Sequence, residues 1–242
     1  MYPELFSIGH FTIYTYGVLV ALGFFLGIQY IVKYSKSIIT KQQVYDFLFY
    51  VILIGIIGAR LFYVCLDLNY YLSHPLEIIQ VWKGGLVYYG GFISVLIFAF
   101  LYCKYKKINI IKLMDIFAPA LALGHCFGRI GCFFSGCCYG KYSDCFLAIS
   151  QKHPTQLYES FGNLVIFFIL HTLLKKSHKD GYIFVLYMLL YSVLRFAVEF
   201  FRGDDRGAFI FGLSPAQNIS IIIFVIAIII LFFTKNGAKN GK

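Results

Sequence analysis

The chain has 242 residues, 60% of them hydrophobic and only 13% charged, with mean hydropathy +0.77 and net charge +10 at neutral pH. A soluble domain is about a quarter charged, and no water-soluble core of this length hides so much apolar surface, so an ordinary soluble protein is excluded and lipid must be the solvent for much of the chain. In a soluble protein the positive balance would raise nucleic acid as a partner; here topology and anionic lipid account for it, and no nucleic-acid partner is expected.

Aromatic usage points the same way: 20 Tyr and 27 Phe stand against one Trp, and tyrosine suits a membrane interface, with ring in lipid and hydroxyl in water. The N-terminus lacks a basic region, and its first apolar stretch runs on to spanning length. That stretch is expected to remain as a transmembrane helix and not to be cleaved as a signal. A span needs about 20 mainly apolar residues. Seven candidates follow in order, near residues 12–32, 44–65, 86–103, 113–131, 157–174, 182–201 and 214–234. The segments between them are short. The expected fold is therefore an all-α membrane protein, one polytopic domain over 1–242, with seven transmembrane helices and short outer-surface helices and loops.

Lysine and arginine give the orientation. Lys33, Lys36 and Lys41 follow the first span; Lys104, Lys106, Lys107 and Lys112 follow the third. Lys175, Lys176 and Lys179 follow the fifth, and Lys235, Lys239 and Lys242 end the chain. This side reads as cytoplasmic, which puts the N-terminus outside and the C-terminus inside. All five arginines (Arg60, Arg129, Arg195, Arg202 and Arg206) fall on the other side or in the outer half of a span. Charge bias does not explain them there. Arginine is the residue for bidentate capture of phosphate or carboxylate, so an anionic ligand at the outer leaflet is the functional reading. Snorkelling to the interface is the simpler one for Arg60 and Arg202. Arg129 and Arg195 lie beside spans without nearby lysines, where charge is a functional hint.

Taken in chain order, Tyr16 at the first span reads either as an interface anchor or as the lining of a headgroup cavity. Gly58-Ala59-Arg60 closes the second span with small residues that permit close helix approach. Residues 75–83, from Pro75 to Lys83, fit an amphipathic helix lying on the membrane. The run Lys83-Gly84-Gly85-Leu86-Val87-Tyr88-Tyr89-Gly90-Gly91 enters the third span. Its glycine pairs serve either helix packing or a backbone that a ligand approaches closely, with Tyr89 offering a hydroxyl.

The central stretch Gly128 to Gly140 reads GRIGCFFSGCCYG. Its glycines argue for a re-entrant or cavity-lining loop, because irregular backbone at membrane depth occurs only there. Five of the seven cysteines lie between Cys126 and Cys145. Their spacing matches no usual zinc pattern, so no metal is expected. A disulfide on the oxidising side, inert packing thiols, and a thiolate favoured by Arg129 all remain open for Cys132, Cys137 and Cys138. His153, Gln156 and Glu159 fall three apart on one helical face, with Tyr158 between; they line a cavity or close a hydrogen-bonded helix end. Arg195 and Glu199 are i and i+4 inside an apolar run, a pair that costs much unless something offsets its desolvation. Arg202 follows at i+7, and Ser214, Gln217 and Asn218 open the seventh span.

On Tyr16-Gly17, Gly58-Ala59-Arg60, Trp82 to Gly91, Gly128-Arg129-Ile130-Gly131, His153 to Glu159, and Arg195 to Arg202, the chain resembles the bacterial prolipoprotein diacylglyceryl transferase family nearly end to end. The resemblance implies an enzyme of the bacterial inner membrane whose active site faces outward; no cofactor is expected, and a monomer is. It implies transfer of the diacylglyceryl group of phosphatidylglycerol to the lipobox cysteine of a preprolipoprotein, with glycerol phosphate leaving. Arg129 matches the family's phosphatidylglycerol-binding arginine, and Arg195 and Glu199 its essential charged pair. The substrate-binding set implied alongside Arg129 is Tyr16, Arg60, Gly90, Gly91, Gly128, His153, Gln156, Tyr158, Glu159 and Arg202. Three features depart from the pattern. Tyr89 stands where the family has a histidine proposed as base. Cys132 and Cys137 stand where it has Asn and Glu. The segment between Gly140 and His153 is short. Two alternatives follow: a phosphatidylglycerol-dependent transferase with another acceptor, or a membrane thiol–disulfide protein using Cys132, Cys137 and Cys138.

Overall fold

The computed structural model describes residues 3–8, 11–204 and 212–236. The chain opens with an antiparallel hairpin, β1 (Glu4–Ile8) and β2 (Phe11–Tyr14), paired from Glu4↔Tyr14 to Ile8↔Phe11 with an irregularity between Glu4 and Phe6. The helices follow as α1 (Thr15–Tyr34), α2 (Lys41–Leu66), α3 (Leu68–Ser73), α4 (Tyr88–Tyr105), α5 (Ile110–Ser135), α6 (Thr155–Leu174), α7 (Tyr182–Glu199) and α8 (Pro215–Asn236). Among the described residues seven of them, all but α3, are long and apolar enough to cross a membrane. Their bounds fall within a few residues of the sequence expectation.

Three local expectations need correction. Pro75 to Lys83 is not one surface helix; it forms two single 3₁₀ turns, Pro75–Glu77 and Val81–Lys83. Residues 12–14, read as the start of the first span, belong to strand β2. The first half of the central stretch is regular helix, since α5 continues through Arg129, Gly131 and Cys132 to Ser135. Only after it does the backbone turn irregular, with positive φ at Gly136 and Cys138.

The chain divides into two compact units, Ser35–Leu113 and the remainder. In the Ser35–Leu113 unit, α2 begins with a capping box in which Thr40 and Gln43 satisfy each other's backbone. The helix then packs along α4 through small residues. A Cβ at Gly90 would collide with Phe62, and one at Gly91 would lie 2.8 Å from the Gly55 carbonyl oxygen. These two glycines are fully accounted for by helix packing.

In the other unit, α1 lies close to α5: a Cβ at Gly23 would stand 3.0 Å from the Phe127 Cβ. Helices α5, α6 and α7 share a core of Ala118, Ala122, Ile166, Leu170, Ile183 and Tyr187. Asp115, buried in α5, accepts from the backbone N–H groups of Gly181 (2.7 Å) and Phe184 (2.8 Å). It thereby caps the start of α7, a favourable end for a carboxylate. Gly162 of α6 leaves room for the Leu194 side chain of α7. Asp115 thus ties the starts of α5 and α7 together, and the charged residues sit at the opposite end, near the Gly162–Leu194 contact.

Candidate active site

Arg129 lies near the C-terminal end of α5, Glu159 near the N-terminal end of α6, and Arg195 and Glu199 at the C-terminal end of α7. Helix dipoles favour cations at C-termini and anions at N-termini. Three of the four charges therefore suit their positions, and Glu199 is the exception.

The four are joined in one chain of contacts. Arg129 Nη2 is 3.0 Å from Glu159 Oε1, Arg195 Nη1 is 3.7 Å from Glu159 Oε2, and Arg195 Nη2 is 2.9 Å from Glu199 Oε2. Tyr191 donates to Glu159 Oε1 at 3.3 Å, and the Ser214 hydroxyl donates to Glu199 Oε1 at 2.7 Å. Glu159 is buried almost completely, at 1% exposure, whereas the Arg129 side chain keeps 22%. The two guanidinium charges balance the two carboxylates, which offsets much of the cost of burial. One corner is left short. Glu159 Oε2 and Arg195 Nη1 are buried and have no hydrogen-bond partner among the described residues. Arg129, held by one nitrogen and partly open, is the charge best placed to take an external anion.

Tyr16 at the start of α1 lies against Gly131, where a Cβ would come within 3.0 Å of the Tyr16 ring. Gly128 differs: a Cβ there would meet nothing within 4 Å, so the helix surface beside Arg129 is open.

The turn after α5 is clamped to α6. Gln156 donates to the Cys137 carbonyl at 2.6 Å and Thr155 to the Cys138 carbonyl at 2.8 Å. His153 precedes the helix and pairs through Nδ1 with the Tyr158 hydroxyl at 3.1 Å. Of the alternatives open for this segment, the helix-end network is the one found. Gln156 and Tyr158 serve this frame, and Glu159 alone reaches the ionic network.

Arg202 has left α7. It holds Asp204 through two hydrogen bonds of 2.8 and 2.7 Å, and its residue bridges to Gly140. Its charge also acts on Cys138, while its Nη1 has no hydrogen-bond partner among the described residues. All the described cysteines are free thiols. A hydrogen bond from Cys132, aided by the charges of Arg202 and Arg129, brings the Cys138 thiol down to about 5; burial pushes Cys137 up.

The remaining sequence candidates belong to the Ser35–Leu113 unit. Arg60 is committed to backbone: Nε donates to Ile78 O (2.8 Å), Nη1 to Gly84 O (2.9 Å) and Gly85 O (3.1 Å), and Nη2 to Glu77 O (2.5 Å). Its guanidinium also lies over the rings of Tyr63 and Tyr71. Tyr89 is 61% exposed, its ring against Tyr88. Arg206 lies outside the described residues. Two partners of the network escaped the sequence reading. Tyr191 sits one turn before Arg195 on the same face, a signal the i, i+4 rule could have caught. Ser214 was noted only as part of a polar helix start.

Fold and site together define a polytopic membrane protein with a buried, internally balanced arginine–glutamate network at one end of three spans. The sequence matches the family "Prolipoprotein diacylglyceryl transferase" over residues 3–233. Relatives named phosphatidylglycerol–prolipoprotein diacylglyceryl transferase include those of Clostridium tetani, 35% identical over 95% of this chain and 96% of its own, and Finegoldia magna, 38% identical over 93% and 92%. The relative from Rickettsia bellii is 34% identical over 96% and 95%. The chain belongs to the prolipoprotein diacylglyceryl transferase family, a family of transferases.

Proposed function

We propose that this protein moves the diacylglyceryl group of phosphatidylglycerol onto the lipobox cysteine of a preprolipoprotein, at the outer face of the bacterial inner membrane. The reaction forms one C–S bond and breaks one C–O bond. A thiolate attacks the glyceryl carbon next to the phosphate, and the electron pair of that C–O bond leaves on the phosphate oxygen of glycerol phosphate. Negative charge therefore grows at the phosphate. Fixed donors aimed at developing charge in a water-poor site lower such a barrier more than they would in water.

The observation that carries this reading is the partly open Arg129 beside the buried Glu159–Arg195–Glu199 chain. Arg129 is assigned to the lipid phosphate. Glu159 and Glu199 hold the two guanidinium planes, and Arg195 Nη1, without a hydrogen-bond partner among the described residues, has an N–H with which to follow the charge. Tyr16 and Gly128 border this position, and His153, Gln156 and Tyr158 fix the adjoining turn. Cys138 and Arg202 are assigned to the acceptor side. Arg60, Gly90 and Gly91 hold their own unit together, which leaves them a supporting role. The acceptor thiol, with an ordinary pKa near 8.5, needs little activation.

The test is transfer of labelled diacylglyceryl from phosphatidylglycerol to a lipobox peptide by membranes that contain the protein. Arg129→Ala is expected to abolish it; transfer at the unsubstituted rate would remove Arg129 from the phosphate. A second reading, with another acceptor, is favoured by the cysteine cluster beside Arg202. Phosphatidylglycerol consumed with a non-peptide thiol, but not with the peptide, would select it.

A further inference from the structure

The cysteines whose spacing matches no zinc pattern are brought together by the fold. The sulfur atoms of Cys132, Cys137 and Cys138 all lie within 4.8 Å of one another. A metal held by thiolates at about 2.3 Å sets its sulfurs about 4 Å apart, so a small adjustment closes the three around one ion. The frame that presents them is built from other parts of the chain. Cys132 comes from the last turn of α5. Cys137 and Cys138 come from the turn whose carbonyls Gln156 and Thr155 hold. Cys138 adopts φ +63°, a costly conformation for a side-chain-bearing residue, and the clamped carbonyls keep it there. Inert packing does not describe this cluster, because Cys137 is exposed and Cys132 and Cys138 are only partly covered. Among the described residues no His, Asp, Glu or further Cys joins the three as a fourth ligand.

We propose that Cys132, Cys137 and Cys138 form a three-thiolate site for a thiophilic divalent cation of the zinc class, with the fourth position open to the acceptor thiol. The assignment of that fourth ligand rests on the transferase reading above; the three-cysteine site does not. Soft thiolates select such ions, and three protein ligands with one open place is the arrangement of catalytic zinc. Coordination would activate the acceptor. Its S–H proton is released to water, the bound sulfur forms the C–S bond, and the C–O bond pair departs with the phosphate. No oxidation state changes. Here the cation does for the acceptor thiol what Arg129 does for the leaving phosphate.

The experiment uses the whole protein in detergent, reduced and stripped with a chelator, and Co²⁺ as the probe. Equimolar binding with thiolate-to-cobalt charge-transfer absorption, displaced by Zn²⁺, is expected. Cys132→Ser, Cys137→Ser and Cys138→Ser should each lose the band, and Cys65→Ser and Cys145→Ser should keep it. Because a variant can fail to fold, the unsubstituted protein is also labelled with iodoacetamide and read by peptide mass spectrometry. Zn²⁺ should protect the three clustered thiols and leave labelling of Cys65 and Cys145 unchanged. A missing band, a band indifferent to the three substitutions, or absent protection overturns the site. So does finding these cysteines joined as a disulfide in protein taken directly from membranes. A cysteine-containing lipobox peptide should then shift the cobalt spectrum, and its serine analogue should not. If the spectrum does not move, the open-position assignment falls while the metal site stands. Neither readout needs turnover, so a failed transferase reading would not be mistaken for a failed metal site.

Discussion

Arg60 and Arg195 are both arginines in helices that cross the apolar layer, and they are spent differently. Four contacts tie Arg60 to carbonyls of residues 77–85, and two tyrosine rings cover it. Its partners are neutral, numerous and local, so it holds a loop. Arg195 faces two carboxylates and reaches one of them only at 3.7 Å through Nη1, a buried atom with no hydrogen-bond partner among the described residues. A satisfied charge in a low-dielectric setting adds rigidity; an under-satisfied one is poised for a ligand. The comparison separates an arginine spent on local backbone from one held by carboxylates alone, although neither lies among the lysine-rich segments of the sequence.

The largest expected effect comes from removing the shared partner. Glu159→Gln leaves Arg129 and Arg195 facing an amide, two partly buried cations with only Glu199, on Arg195, as a carboxylate partner. Breaking a buried pair by deleting one partner costs about 3–5 kcal/mol. The thermal midpoint in detergent should fall by many degrees and transfer should be lost. An unchanged midpoint would mean that the network is not what holds these helix ends together. Next comes the pair that tests the comparison directly. Arg195→Lys keeps the charge and loses the planar fork; transfer should drop by about 100-fold, the scale of one lost transition-state donor, with little change in midpoint. Arg60→Lys should do the reverse. It forfeits several carbonyl contacts, each worth about 1 kcal/mol, so the midpoint falls while kcat is largely kept. If Arg60→Lys cuts kcat as deeply as Arg195→Lys at unchanged stability, the distinction is wrong.

The distinction was only half legible beforehand. Hydropathy located seven spans because each span must meet lipid along most of its length, and that constraint is local. Arg129, Arg195, Glu199 and Glu159 were legible because charge within an apolar run has few bland explanations. The fate of Arg60 was not, since its partners are backbone carbonyls and carry no side-chain signature. Glycine misled in the same way. Gly128 and Gly131 read as signs of irregular backbone, yet both lie in regular helix, and Gly131 makes room for Tyr16. The cysteine cluster was hidden for a related reason. A run with one cysteine on a helix end and two on a clamped turn converges only once Gln156 and Thr155 fix that turn.

The smallest effects belong to two glycines that the sequence treats alike. Gly91→Ala forces a methyl group to within 2.8 Å of the Gly55 carbonyl oxygen. Helices α2 and α4 must separate, at a cost of about 1–3 kcal/mol for overpacking. Gly128→Ala adds the same methyl group where no atom lies within 4 Å. In helix it should be neutral or stabilising by up to about 1 kcal/mol. The two variants should therefore move the thermal midpoint in opposite directions. Transfer separates them again. If the open surface at Gly128 receives lipid beside Arg129, the alanine should raise KM for phosphatidylglycerol and leave kcat alone, because it removes space without touching a charge. A Gly128→Ala enzyme with unaltered KM would show that the lipid approaches Arg129 from another side, and the opening beside Gly128 would then need a different occupant.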